Sequence, residues 1–78
     1  MPRYFFEIDD GELHTTDEEG LELPNLKAAR DEALGVLPEI AQGRPPEGDR
    51  QDLTAVVRDE SERKVVIATL ALKADYIA

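Results

Sequence analysis

His14 is the side chain of this sequence best suited to acid–base or metal chemistry, because it is the only histidine and lies close to Asp17. A histidine beside a carboxylate can act as a general base or supply half of a metal site. No nucleophile stands next to it, and its place in a short strand favours a solvent-facing side chain. Ser61, the only serine, stands among charges in a turn. We therefore assign no catalytic residue and expect a protein that is not an enzyme.

A dense run of carboxylates occupies the segment from Glu7 to Glu22, which holds eight acidic residues and no lysine or arginine. Such a run could bind Ca²⁺ or Mg²⁺. An EF-hand loop, however, needs a glycine at its sixth position, and Gly11 in that place would put Phe6 at the first ligand position. The glycines also form no phosphate-cradling loop. We therefore assign neither a metal site nor a cofactor.

The net charge of −9 bears on partners and location. An acidic surface repels phosphate backbones, so we expect no binding to nucleic acid or to anionic membranes. The absence of cysteine excludes disulfides, thiolate catalysis and cysteine-based zinc sites. Met1 leads straight into a strand and no apolar run reaches membrane-spanning length, which predicts a cytoplasmic protein without a signal peptide. The 78 residues, 1–78, suffice for one small domain.

The first elements of this domain form a hairpin. Arg3–Ile8 alternates apolar side chains on one face and predicts a strand. Asp9-Asp10-Gly11 is a strong turn signal, because glycine accepts the positive φ that a tight turn requires. Glu12–Thr16 predicts the returning strand, and DEEG after it indicates a solvated loop.

A capped helix follows. Pro24 keeps Leu23 extended, and Asn25 is a good N-cap for a helix that begins at Leu26. Apolar residues repeat at three and four positions, which predicts one buried stripe; these are Leu26, Ala29, Ala33, Leu37 and Ile40. Gly35 and Pro38 weaken the far end. We expect a firm helix to about Val36, then a kink or a fresh turn through Ile40, closed by Gly43.

The second half begins with Gly43–Asp52, which is rich in proline, glycine and charge and predicts a mobile loop. Leu53–Arg58 predicts a third strand and Asp59–Arg63 a polar turn. Lys64–Leu72 predicts a longer fourth strand. This last strand is apolar on both faces, which favours a central place in the sheet. Residues 73–78 form a short tail.

These elements predict an α+β domain in the order ββαββ, with a four-stranded, mainly antiparallel sheet and one helix on one face. The central strands should be Arg3–Ile8 and Lys64–Leu72. The expected core is Tyr4, Phe6, Ile8, Leu13, Leu26, Ala29, Ala33, Leu37, Val56, Ile67 and Leu70.

Two stretches resemble a family of small bacterial proteins known only as a domain of unknown function. They are the opening MPRYFF and the later DEEG-x-ELPNL-x-AAR-x-EAL, and the similarity extends from Met1 to about Leu72. Pro38 and the loop Gly43–Asp52 depart from the family pattern. The resemblance implies a final hairpin and brings no activity, substrate or catalytic residue with it. The order of elements also resembles, more loosely, the partial ribonuclease-H-like domain of HicB-type antitoxins, which act by binding a partner.

Two classes of function remain. The first is a small non-enzymatic interaction module that acts through a sheet edge or the helix–sheet groove, with the HicB-like partner-binding domain as a variant. The second is a small ligand-binding or enzymatic domain that uses His14 and the acidic loop. The partner is either an unknown protein or a second copy, because Phe5, Val65 and Ala71 would point to the face that one helix leaves uncovered.

Overall fold

The computed structural model describes residues 1–11, 13–43 and 50–77. Over these ranges it contains one helix and an antiparallel sheet, which confirms the α+β class and the ββαββ order with one short strand added. The elements are β1 (Arg3–Asp9), β2 (His14–Thr16), β3 (Leu21–Glu22), α1 (Leu26–Gly43), β4 (Arg50–Arg58) and β5 (Lys64–Lys73). The added strand β3 pairs with the beginning of β1, through Arg3 with Glu22 and Tyr4 with Leu21.

The strand order β2-β1-β4-β5 corrects one prediction. The central strands are β1 and β4, whereas β5 pairs only with β4 among the described strands and forms an edge. The physical reason is that an apolar run reports side-chain burial above and below a sheet, while position within the sheet is set by backbone pairing. The alternating burial of Leu53, Ala55 and Val57 identifies β4 as the strand beneath the helix.

The loop before β4 is shorter than predicted. Arg50, Gln51 and Asp52, which were expected to belong to it, pair with Lys73, Leu72 and Ala71 of β5. Their polar composition hid this pairing, although a strand end exposed to solvent tolerates such side chains. Residues 44–49 lie outside the described ranges, and so does the predicted mobility of that part.

Helix α1 is continuous to Gly43, so the kink or fresh turn predicted after Val36 is wrong. Pro38 lies on the exposed side, where water can bond to the carbonyl that the proline leaves without a partner. Leu37 beside it is buried to 1% exposure and holds the helix on the sheet. The predicted N-cap is confirmed, because Oδ1 of Asn25 accepts a 2.9 Å hydrogen bond from the backbone N–H of Ala28.

The core lies between α1 and the sheet. The predicted core residues Tyr4, Ala29, Ala33 and Leu37 are buried. The predicted Phe6, Ile8 and Leu70 are partly buried against them.

Four predicted core residues are misplaced. Val56 and Ile67 are paired neighbours on the sheet face that points away from α1, and Ile67 is 66% exposed. Leu13 is exposed because it closes the hairpin turn, where its N–H donates to Oδ1 of Asp10. Leu26 is 48% exposed because it lies on the flank of α1 rather than at its centre.

Candidate protein-interaction surface

His14 does not lie at a converging site. It faces Asp9 across the β1–β2 pair, with 3.6 Å between His14 Nδ1 and Asp9 Oδ2, and both side chains are about half exposed. An ion pair this exposed contributes little. Ser61 is in the turn between β4 and β5, where its backbone N–H donates to Oδ1 of Asp59. These two residues are therefore far apart in role, as a surface pair and a turn former.

The carboxylates of the acidic segment build turns. Oδ1 of Asp17 accepts hydrogen bonds from the backbone N–H groups of Glu19 and Gly20, at 3.0 and 3.1 Å. Oδ1 of Asp9 accepts one from Gly11 at 2.7 Å. Within the described ranges, no three histidine, cysteine or acidic side chains are grouped closely enough to hold a metal ion.

A concave site of about 360 Å³ lies where the Asp17 loop meets the β4–β5 turn. Its lining is mostly acidic: Phe5, Thr16, Asp17, Glu18, Arg58, Asp59, Glu60 and Glu62. Arg58 is held by Glu7, with 2.9 Å between Arg58 Nη2 and Glu7 Oε1. His14 does not line this site, so the structure does not bring together the histidine and the carboxylates that an acid–base mechanism would use.

The larger concavity, about 660 Å³, is a groove between α1 and β5. Its lining is largely apolar and comes from one flank of the helix and the middle of the strand; the residues are Leu26, Lys27, Arg30, Leu34 and Val65–Thr69. Leu26 and Leu34 are 48% and 42% exposed. They lie eight positions apart on the helix, so Leu26, Arg30 and Leu34 form one row along the flank next to β5.

The outer edge of β5 forms the other wall of the groove. This strand has ten residues, and no other strand in the described part of the chain pairs with its outer side. Its outward-facing N–H and C=O groups are therefore available to a further strand. Lys64 and Lys73 stand at its two ends, where charged residues commonly hinder unwanted edge pairing.

Charge is distributed unevenly between the two edges of the sheet. The β5 edge carries Lys64 and Lys73, and the helix flank beside it carries Lys27 and Arg30. The opposite edge, at β2, adjoins the segment from Glu7 to Glu22, which has no lysine or arginine. The groove is thus a locally basic surface on an acidic protein.

Asp31 orders the two cations of the helix flank. Its Oδ2 lies 2.9 Å from Nζ of Lys27, and its Oδ1 lies 2.9 Å from Nη1 of Arg30. The hydrogen bond from Lys27 is the main cause that lowers the pKa of the Asp31 carboxyl, and Arg30 acts in the same direction. Because two cations share one carboxylate, the flank retains a net positive charge.

Sequence reasoning named the helix–sheet groove in general but missed the residues that form it. Leu26 and Ile67 were assigned to the core, and the open edge was expected at Glu12–Thr16. A usable signal was present in β5, whose apolar run is bracketed by Lys64 and Lys73. A lysine at each end of an apolar strand is typical of an edge.

Comparison with known proteins identifies the family. The family described as Domain of unknown function (DUF6894) matches residues 3–71, and the chain belongs to it. No curated protein and no solved structure matches the chain. None of these comparisons supports the likeness to HicB-type antitoxins. In the described part of the chain, the one helix is not apolar enough over sufficient length to span a membrane.

Proposed function

We propose that this member of the family is a non-enzymatic, cytoplasmic protein-interaction module that binds an extended segment of a partner polypeptide along β5. The observation that supports it best is the unpaired outer edge of β5 beside the groove of about 660 Å³. An extended segment satisfies both features at once, because its backbone can pair with β5 while its side chains enter the groove.

Strand addition accounts for the backbone part of the interaction. An extended peptide that joins a sheet edge gains main-chain hydrogen bonds, and alternate side chains supply specificity. On β5 the even-numbered residues Val66, Ala68 and Leu70 face the helix. The bound segment therefore presents every second side chain to the groove and the others to the open face of the sheet.

The groove determines the side-chain chemistry of the segment. Leu26, Leu34 and Val66 favour apolar side chains at the positions that face α1. Lys27, Arg30 and Lys64 favour carboxylates at its margins. The partner segment is therefore apolar at alternate positions and acidic at its ends. A basic segment would instead be drawn to the opposite edge of the sheet.

The experiment is a titration of the ¹⁵N-labelled protein with a synthetic peptide that alternates valine with threonine and has glutamates at both ends. We expect amide shift changes confined to residues 26–34 and 64–70, and slowed hydrogen exchange along β5. The same peptide with lysines at its ends should bind more weakly. Shift changes confined to the β2 edge, or none at all with the acidic peptide, would refute the proposal.

A charge-reversal variant tests the electrostatic part. Arg30→Glu removes an attraction of about 0.5 kcal/mol and adds a repulsion of similar size, so the acidic peptide should bind about fivefold more weakly. Arg50→Glu is the matched control, because Arg50 is exposed on β4 and does not line the groove. Equal weakening by both variants would show that net charge, rather than the groove, controls binding.

A further inference from the structure

The segment after β5 has the chemistry that the groove selects. Residues 74–77 read Ala-Asp-Tyr-Ile and follow the edge strand directly. The side chains of Tyr76 and Ile77 are almost wholly exposed, at 93% and 99%. Asp75 supplies a carboxylate and makes only a loose pair with Lys73, 3.6 Å apart with both side chains exposed. Two large apolar groups and one acid thus stand in water beside an apolar, basic groove.

Given the proposed function, on which this depends, we infer that the groove is occupied by residues 74–77 of a second copy of this chain, in a reciprocal exchange between two copies. The partner segment is then part of the protein itself. Each copy of a two-fold dimer supplies one groove and one tail, so the contact is made twice.

The same chain cannot fill its own groove. Tyr76 lies three residues beyond the last residue of β5, so its backbone extends at most about 11 Å from Lys73. The middle of the groove is at Ile67, about 20 Å back along the strand. The tail would also have to reverse direction to lie alongside β5. A tail from a neighbouring copy has no such restriction, because it arrives as the continuation of an antiparallel strand.

Antiparallel pairing of two β5 strands brings the tail to the groove. Residues that face each other across a two-fold seam point to the same side of the sheet. A two-fold axis at Ala71 sets Tyr76 opposite Val66 of the other copy, on the side of α1. In this register Lys73 faces Thr69, so no lysine faces a lysine.

The Tyr76 ring then enters between Leu26 and Leu34, beside Lys27 and Arg30, where cation–π contact adds to the apolar packing. Pairing through the open faces of two sheets is disfavoured, because the ion pair of Glu7 and Arg58 lies in the middle of that face. Its side chains are only 17% and 27% exposed, and dry packing would desolvate both charges further.

Sedimentation of the full chain over micromolar to submillimolar concentrations tests self-association. We expect a reversible monomer–dimer equilibrium, and Tyr76→Ala with Ile77→Ala should raise its dissociation constant at least about tenfold. Leu13→Ala is the matched control, since Leu13 is 55% exposed at the far edge of the sheet. Far-UV circular dichroism confirms that the variants are folded. A monomer at every concentration, or a dimer unaffected by the tail variant, would overturn the inference.

The register has its own test, because the chain has no native cysteine. Ala71→Cys places one thiol on the two-fold axis, at a separation that a disulfide can bridge. It should cross-link under mild oxidation much faster than Thr69→Cys. Similar rates for both variants would overturn this register.

The failure of this inference and of the proposed function are distinguishable. If the chain is monomeric but the acidic peptide still binds between α1 and β5, the groove binds a different protein and only the exchange is wrong. If neither the tail nor the peptide occupies the groove, both are wrong. If both bind, the tail variant should take up the peptide more tightly, because its groove is free.

Discussion

Replacing Gly20 with alanine probes the packing of the acidic loop against β1. Gly20 has a φ of +78°, and a Cβ there would lie 2.7 Å from Cγ of Arg3 and 2.8 Å from Cε1 of Phe5. The left-handed backbone costs an alanine about 1–2 kcal/mol. Displacing the ring and the arginine stem adds about 1–3 kcal/mol, and it disturbs the 2.7 Å bond from Arg3 Nη1 to the carbonyl of Glu19.

The expected loss in the free energy of unfolding is therefore about 2–5 kcal/mol. Since about 1 kcal/mol lowers the melting temperature of a domain this small by about 4–8 °C, the variant should melt at least about 10 °C lower. Thermal and urea denaturation followed by circular dichroism measure both quantities. The loss is a large part of the stability of a 78-residue chain, about 4–12 kcal/mol.

Two other glycines separate backbone strain from steric contact. Gly11 also has a positive φ, +95°, but a Cβ there meets nothing within 4 Å, so Gly11→Ala should cost only the strain of about 1–2 kcal/mol. Gly35 is inside α1 with open space around it, and Gly35→Ala should stabilise the protein by about 0.5–1 kcal/mol. Equal melting temperatures for the variants at positions 20 and 11 would refute the close contact with Phe5.

Three further predictions follow from the packing, the helix cap and the ion pairs. Leu37→Ala should cost about 2–5 kcal/mol in chemical denaturation because Leu37 is 1% exposed, whereas Leu13→Ala should cost less than about 1 kcal/mol. Asn25→Ala should lower the free energy of unfolding by about 1 kcal/mol, and a pre-proline effect alone would leave it unchanged. Lys27→Met should raise the pKa of Asp31 towards its ordinary value in a carboxyl-carbon NMR titration, because the hydrogen bond from Lys27 is the main cause of its lowering; in the wild type the ion pair is kept above that value and lost as the pH falls below it.

The sequence predicted best what depends on local chemistry. The Asp-Gly turn, the Asn25 cap and the stripe that buries Ala29, Ala33 and Leu37 follow from backbone preferences and helical periodicity within a few residues. Long-range pairing was less accessible. Nothing within β5 indicates that β1 pairs with β4 instead, because strand neighbours are chosen by the packing of the whole sheet.

The interaction surface was hard to predict for a related reason. Leu26 and Ile67 have the composition of core residues, and only their place at the margin of the layer exposes them. Pro38 misled in the opposite direction, since its exposed position leaves the helix intact. Composition assigned these residues to a class of environment, and three-dimensional position decided which of them are covered.

The strand order has a consequence for how the chain acquires its structure. Helix α1 and strands β4 and β5 are consecutive in sequence, whereas β1 must close a long loop before Asp9 can meet Thr54. Contacts that close long loops form slowly, so we expect the helix and the last hairpin to assemble first and the first hairpin to dock afterwards. Until it docks, β4 exposes a second unpaired edge on the opposite side of the β4–β5 pair. During that interval the nascent protein can be extended from two sides, and prompt docking of β1 limits aggregation.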